Sequence, residues 1–198
     1  MLITKKIILF FLFLIFPIIG FACTCFSISK KEARKISREA DYVVLGSPIE
    51  NIHPNDTIKG LWDSLRKGYH VKFKVEKVYK GRIDAEFIFI NQFETANCVM
   101  SFQFGEKYII VGNRIKEFEN LRPVNLGEDF GGDDFQETFP PPPPHPMAGL
   151  KFNRMKCFNE ESSEVDYWNE IAKNEIVVYT NQCSTFGENS TYGKYFAK

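Results

Sequence analysis

Two cysteines one residue apart, Cys23 and Cys25, directly follow an apolar leader. If the leader is cut after Ala22, the mature chain begins with Cys23. Its α-amine, its first carbonyl and an expected disulfide then lie within one residue of each other, with Thr24 between the two cysteines. This arrangement indicates that the N-terminus itself is the functional part of the protein.

Residues 1–22 have the pattern of a secretory signal peptide. Two lysines form a positive n-region, and residues 7–16 are continuously apolar. Gly20 and Ala22 are the small residues that a signal peptidase requires at positions −3 and −1. We therefore expect a secreted protein, extracellular or periplasmic, with no stable membrane span after cleavage.

Two other interpretations of the leader stay open. A transmembrane anchor would use the same apolar run, although no stop-transfer charges follow it. A lipoprotein would carry a lipid anchor on Cys23 at the cell surface. The pair Ala22-Cys23 is compatible with lipidation, whereas Gly20 and Phe21 fit a lipoprotein signal poorly.

Length and charge limit what the mature chain can be. Residues 23–198 are enough for one domain with its own core. Because both leader lysines are removed, 23 basic residues face 25 acidic ones, and no basic block favours nucleic acid as a partner. Across the full sequence, 20 Phe and eight Tyr among frequent Val and Ile favour strands.

All five cysteines fall in the mature part, and an exported protein is expected to form disulfides. Cys23 and Cys25 are too close to pair comfortably with each other, so each is expected to reach a distant cysteine. Five is an odd number, and lipidation of Cys23 would leave four. There is no Cys-x-x-Cys and no paired His, so we expect no metal site and no cofactor. The cysteines are Cys23, Cys25, Cys98, Cys157 and Cys183.

The patterning predicts one helix followed by strands. Residues 27–40 read as a helix in which Ser29 and Glu32 form a capping box. Residues 53–68 read as a long hairpin loop because they hold Pro, Asn, Asp and Gly. Residues 92–98 read as a polar connector that ends on a cysteine. The predicted strands are 41–46 with continuation to 52, 69–79, 86–91, 106–112 and 175–180.

Residues 113–174 have a different composition. They include an acidic, Gly-rich stretch, a proline run at 140–146 and a predicted helix over 162–173. We predict a single mainly β domain over 23–198 with this segment as a long inserted loop region. Five strands and one short helix favour a five-stranded antiparallel Greek-key barrel, for which the OB-fold is one candidate.

The ordered motifs resemble the tissue inhibitors of metalloproteinases and the related netrin-like modules. Members begin their mature chains with Cys-x-Cys, as at Cys23-Thr24-Cys25 here. A helix ending in Ala-Asp leads into a Val-rich strand, here at 40–44, and an aromatic-Lys-Gly turn follows, here at 79–81. A cysteine after a connecting loop then precedes a Gly-x-Tyr-Leu-Ile-type strand, here Cys98 and residues 105–112, and Cys183 fits a final cysteine after the last strand.

The resemblance implies a mechanism of inhibition. The amine and carbonyl of Cys23 would chelate the catalytic zinc of a target metalloprotease, and Thr24 would enter its specificity pocket. The implied disulfides are Cys23–Cys98 and Cys25–Cys183, with Cys157 left over. The connector would form a second contact strip at Thr95, Ala96 and Asn97.

The chain departs from the animal inhibitors in several places. It lacks a cysteine at the end of the first helix and has Phe26-Ser27 where a proline is usual. It has no cysteine-rich second subdomain and looks more like the single-domain bacterial relatives. A disulfide-stapled structural or partner-binding barrel without inhibitory activity is therefore the alternative.

An enzyme is not expected. His53, His70 and His145 are scattered along the sequence, and no nucleophile stands in a recognisable constellation with a general base. We therefore assign no catalytic residue.

Overall fold

The computed structural model describes residues 28–93, 98–120, 153–157 and 161–197. The predicted leader, Cys23 to Cys25, Thr95 to Asn97 and the proline run lie outside these ranges.

Four helices and ten strands are described. The helices are α1 (Lys30–Glu39), α2 (Asp56–Ser64), α3 (Ser162–Asn174) and α4 (Gly193–Phe196), with a 3₁₀ turn at Gln182–Ser184. The strands are β1 (Tyr42–Asn51), β2 (Lys67–Gly68), β3 (Val71–Lys80), β4 (Phe87–Asn91), β5 (Phe102–Gln103), β6 (Tyr108–Ile115), β7 (Glu117–Asn120), β8 (Arg154–Cys157), β9 (Val177–Tyr179) and β10 (Thr185–Gly187).

Five strands close into a barrel in the order β1-β3-β4-β9-β6, because β6 pairs again with β1. β10 adds to the edge of β6. The mainly β barrel is therefore as predicted, but an entirely antiparallel sheet is wrong, since β4 and β9 run parallel. β9 enters after the long excursion that follows β6, and a long connection allows a parallel neighbour where a tight hairpin does not.

The strand that opens the barrel is buried on both faces. Tyr42 and Val44 point into the barrel, where they meet Phe73 and Ile110. The alternate residues Val43 and Leu45 pack under α1 and α4. This two-sided burial explains why β1 begins with an uninterrupted apolar run rather than an alternating one.

The flanks of the 113–174 segment are packed against the barrel. β6 continues to Ile115, β7 pairs in parallel with β8, and α3 covers them. Trp168 of α3 is 1 % exposed and belongs to a second core that reaches barrel residues Ile115 and Val177. The predicted helix over 162–173 is therefore confirmed as α3.

Residues 53–68 contain a helix, so the predicted loop is wrong there. Asn55 caps α2, since its side-chain oxygen accepts from the N–H groups of Thr57 and Ile58 at 3.0 and 3.2 Å. The polar residue that resembled a turn signal is thus a helix start. The helix at 27–40 is confirmed as α1, and the Ser29–Glu32 capping box is formed.

Among the described residues, no helix combines the length and apolarity needed to cross a membrane.

Candidate functional site

Two loops that carry cysteines leave the same end of the barrel. The parallel pair β4–β9 ends with Asn91 opposite Tyr179, so the chain leaves both strands side by side. The backbone N–H of Thr180 donates to the carbonyl of Asn91 at 3.4 Å. Cys98 follows β4 and Cys183 follows β9. We call the residues that hold these loops, Gln92, Phe93, Cys98 to Met100 and Thr180 to Thr185, the cysteine edge.

The side chain of Gln92 joins the two ends of the connector that carries Cys98. Its side-chain nitrogen donates to the carbonyls of Tyr69 and Met100 at 2.6 and 2.9 Å. Its side-chain oxygen accepts from the N–H of Met100 at 2.6 Å. Gln92 is buried, so these bonds form away from bulk water and both ends of the connector are fixed to one side chain.

A half-buried histidine supports this closure. The Nδ1 atom of His70 accepts from the backbone N–H of Gln92 at 3.1 Å. Burial, with a smaller electrostatic contribution from the neighbouring His53, lowers the pKa of His70 to about 3. His70 is therefore neutral at physiological pH, with its proton on Nε2, and contacts the rings of Phe93 and Trp168 edge-on.

The second loop is built on a capped 3₁₀ turn. The side-chain oxygen of Asn181 accepts from the N–H of Cys183 at 2.9 Å. Behind the turn, the hydroxyl of Thr180 lies 2.9 Å from the hydroxyls of both Ser184 and Thr185. All of these polar side chains except that of Cys183 are buried, so the backbone around Cys183 is held by a satisfied internal network.

The start of β1 lies at the same end of the barrel. Tyr42 pairs with Gly112, and Asn113 pairs with Tyr179, so three chain segments meet there. The N–H of Asp41 donates to the side-chain oxygen of Asn113 at 2.9 Å, and the carboxylate of Asp41 accepts from the N–H of Arg114. The Ala-Asp motif at the end of α1 therefore ties β1 to β6.

The cysteines differ in state and place. Cys98 and Cys183 are both disulfide-bonded. Cys157 is a fully buried thiol in the second core, with its sulfur 4.0 Å from the carbonyl oxygen of Met155. The pairings Cys23–Cys98 and Cys25–Cys183 stay predictions, because Cys23 and Cys25 lie outside the described residues, as do Thr24 and the strip Thr95 to Asn97.

The described part of the chain contains no group of three His, Cys, Asp or Glu side chains that could hold a metal ion. One buried donor of the cysteine edge's neighbourhood, the side-chain amide nitrogen of Asn91, has no partner among the described residues, while its oxygen accepts from the N–H of Phe93. The arrangement is a rigid edge of the barrel, in which side chains orient two loops.

A concave surface lies beside α3. An open groove of about 680 Å³ runs between β7 and α3. The side chain of Asn169 spans it at one point, since it accepts from the N–H of Phe118 at 2.8 Å and donates to its carbonyl at 2.9 Å. This side chain covers the edge of β7 where another strand would otherwise pair.

Sequence reasoning missed Gln92, His70 and Asn181. Gln92 was assigned only to a polar connector, and His70 only to a strand. A polar residue directly after a buried strand is a weak signal for Gln92, whereas no local pattern distinguishes His70 or Asn181 from surface residues.

Comparisons of the chain with protein-family models, with curated proteins and with solved structures found no match in any of the three.

Proposed function

We propose that this protein is a secreted, disulfide-stapled barrel whose N-terminal Cys23 inhibits a zinc metalloprotease. The observation that carries the proposal is the parallel pairing of β4 with β9. This pairing places the loops of Cys98 and Cys183 beside each other, and each loop is fixed by buried hydrogen bonds. Two bonded cysteines at one end of a rigid barrel suit the presentation of a short, constrained N-terminus.

The order of the barrel strands supports a finer assignment of the fold. Counted along the chain, the five closing strands follow the order 1-2-3-5-4 and return to 1. On this basis we propose that the barrel is an OB-fold of the kind found in the tissue inhibitors of metalloproteinases and netrin-like modules.

The proposed chemistry needs only main-chain groups of the first residue. An α-amine has a pKa near 8, so a fraction of it is uncharged at neutral pH and can bind zinc. A catalytic zinc keeps one position for water, and an amine–carbonyl pair from Cys23 would displace that water. Thr24 would fill the adjacent specificity pocket. Disulfides on both sides of Thr24 would reduce the entropy lost on binding.

A second candidate is a structural or partner-binding barrel without inhibitory activity. It is favoured by the chemistry of the cysteine edge, where the described polar side chains bond to their own chain. Such an edge needs no protease to explain it, since a disulfide staple alone would stabilise a small exported domain. In both candidates the protein is not an enzyme.

The experiment begins with the mass and N-terminal sequence of the mature protein. A free Cys23 is expected, and an acylated Cys23 or a cut elsewhere would exclude zinc chelation by its amine. Purified protein is then tested against zinc metalloproteases, with a serine protease as the control enzyme. Inhibition of the zinc enzymes alone is expected.

A one-residue extension distinguishes the two candidates. Insertion of Ala before Cys23, verified by mass, should abolish inhibition because the amine moves away from the chelating position. The control is the same Ala added after Lys198. Unchanged inhibition by the N-terminally extended form would reject the mechanism, and inactivity of the unextended protein would favour the structural candidate.

A further inference from the structure

Helix α2 turns its polar face toward the barrel. The ammonium group of Lys59 lies 3.0 Å from the carboxylate of Glu50 in β1 and 2.9 Å from that of Asp63. Asp63 also accepts from the backbone and side-chain N–H groups of Asn51, at 3.1 and 2.8 Å. The charged residues on this side of α2 are thus bonded within the protein.

The opposite face of α2 is apolar and open to solvent. Ile58 and Leu61 in α2 and Leu65, which follows its last residue, are 39 %, 60 % and 55 % exposed, and they stand at positions i, i+3 and i+7. This spacing aligns the three side chains on one stripe of a helix. Scattered exposed leucines are ordinary on protein surfaces, whereas a contiguous apolar stripe marks an interaction site.

The stripe has the flanking residues of a membrane-binding surface. Arg66 and Lys67 follow Leu65, and both are exposed. Neither side chain forms an ion pair with any described residue. Trp62 adjoins the stripe, half-buried and edge-on to Tyr69 at 4.8 Å between ring centres. Cations and Trp beside exposed aliphatic side chains favour the headgroup region of a bilayer.

We propose that this face of α2 docks on a lipid bilayer surface that carries anionic headgroups. Leu61 and Leu65 enter the boundary of the acyl chains, and the positive charges of Arg66 and Lys67 complement the headgroups. A nine-residue helix is about 14 Å long. Alone, it cannot supply the roughly 800 Å² per partner that a stable protein interface buries. Binding to a bilayer surface requires no such minimum buried area, and the resulting attachment is reversible.

The proposal is independent of protease inhibition and is tested with vesicles. Phosphatidylcholine vesicles with and without phosphatidylglycerol are mixed with the protein, and the bound fraction is measured by co-sedimentation. The double substitution Leu61→Ser and Leu65→Ser should lower partitioning at least tenfold. Arg66→Gln with Lys67→Gln should lower it several-fold on the anionic vesicles and leave it unchanged on pure phosphatidylcholine. Every variant is purified in the same processed form.

Two further measurements make the outcome specific. Brominated lipid should quench the fluorescence of Trp62, and Trp168, which is 1 % exposed, should stay unquenched. Tyr192→Ser removes an exposed apolar ring from a different surface and should leave binding unchanged. Because Leu61 and Leu65 are exposed, circular dichroism of their variant should match that of the parent protein.

Equal vesicle binding by the Leu61→Ser, Leu65→Ser variant would overturn the proposal. A second result would also overturn it: the parent protein binds neither kind of vesicle but dimerises, and the variant does not dimerise. The stripe would then contact a second copy of the chain.

Discussion

Gln92 and His70 show how single side chains fix the cysteine edge. Gln92 satisfies a carbonyl of Tyr69 and both the carbonyl and the N–H of Met100, in two separate segments of the chain, and His70 accepts from the backbone N–H of Gln92 itself. Gln92 is buried and His70 is half-buried, so a missing partner of Gln92 would leave polar groups unsatisfied in the interior. The connector that carries Cys98 is therefore sensitive to either residue.

Substitution of Gln92 by Leu should destabilise the protein. The change keeps the approximate volume but removes three hydrogen bonds and leaves the N–H of Met100 unsatisfied, which should cost about 3 kcal/mol. Urea denaturation measures the free energy of unfolding. Gln182→Leu, at an exposed glutamine next to Cys183, is the control and should change it by less than about 0.5 kcal/mol. Equal effects of the two substitutions would contradict the role assigned to Gln92.

His70 should make stability depend on pH. Its pKa is lowered to about 3 in the folded protein, so the unfolded state binds the proton first as pH falls below about 6.5. As the pH falls from 6.5 to 3, the free energy of unfolding then decreases by about 1.4 kcal/mol per pH unit. Between pH 7 and pH 5 this loss is about 2 kcal/mol.

The substitution His70→Asn isolates this loss. The Asn side-chain oxygen can replace Nδ1 as the acceptor for Gln92 but does not titrate. Urea denaturation of the parent protein and the variant at pH 7 and pH 5 should show the extra loss only in the parent. Gln182→Asn, at an exposed residue that does not titrate, is the control and should keep the pH dependence of the parent protein. A variant that loses as much stability as the parent would assign the pH dependence to other groups.

At the scale of elements, α1 is held by a residue from a distant strand. The ammonium group of Lys80, at the end of β3, donates to the carbonyls of Ser37, Arg38 and Ala40 at 2.5–2.7 Å. These carbonyls belong to the end of the helix, where backbone oxygens lack helical partners and the helix dipole is negative. The aromatic-Lys-Gly turn thus anchors the element that precedes β1.

Removal of this cap should loosen α1. Lys80→Met keeps the aliphatic chain and removes the charge, which should lower the free energy of unfolding by about 1–2 kcal/mol. Hydrogen exchange of the α1 amides should accelerate by a similar free energy. Lys35→Met, at an exposed lysine of the same helix, should have little effect on either measurement. Unchanged exchange in the Lys80 variant would show that the three bonds contribute nothing.

At the scale of the whole molecule, the short strand β9 closes the barrel. It has only three residues, yet it pairs with β4 on one side and β6 on the other. Gly112 of β6 precedes the residues that pair with β9, and an added Cβ there would lie 2.4 Å from the carbonyl oxygen of Tyr179. The closure therefore depends on the absence of a side chain at this position.

Gly112→Ala should open or strain this closure. The clash is with backbone on the opposite strand, which cannot move aside as a flexible side chain would, so the expected loss is about 3 kcal/mol. Gly187→Ala is the matched control, because nothing lies within 4 Å of its added Cβ, and it should change stability by less than about 0.5 kcal/mol. Thermal and urea unfolding measure both variants. Equal stability of the two would mean that the strands separate at Gly112 without cost.

The sequence by itself determined the local elements. The capping box predicted α1, and alternation predicted β3, whose residues Val71 and Phe73 are buried. The sequence also predicted α3, within the 113–174 segment that has no counterpart in the resembled family. These signals depend on residues within a few positions of each other, and local periodicity records such preferences directly.

Only the tertiary structure decided the direction of β9, the helix at 56–64 and the partners of Gln92 and Lys80. The direction of β9 and the partners of Gln92 and Lys80 depend on groups far apart in the sequence, and β9 lies parallel to a strand more than 80 residues earlier. α2 begins at the local Asn55 cap, and one ion pair and two hydrogen bonds to β1 orient it. A chain pattern does not encode which distant backbone group a polar side chain will meet. The sequence therefore predicted that the cysteines form disulfides. Only the fold determined that the loops of Cys98 and Cys183 leave the same end of the barrel.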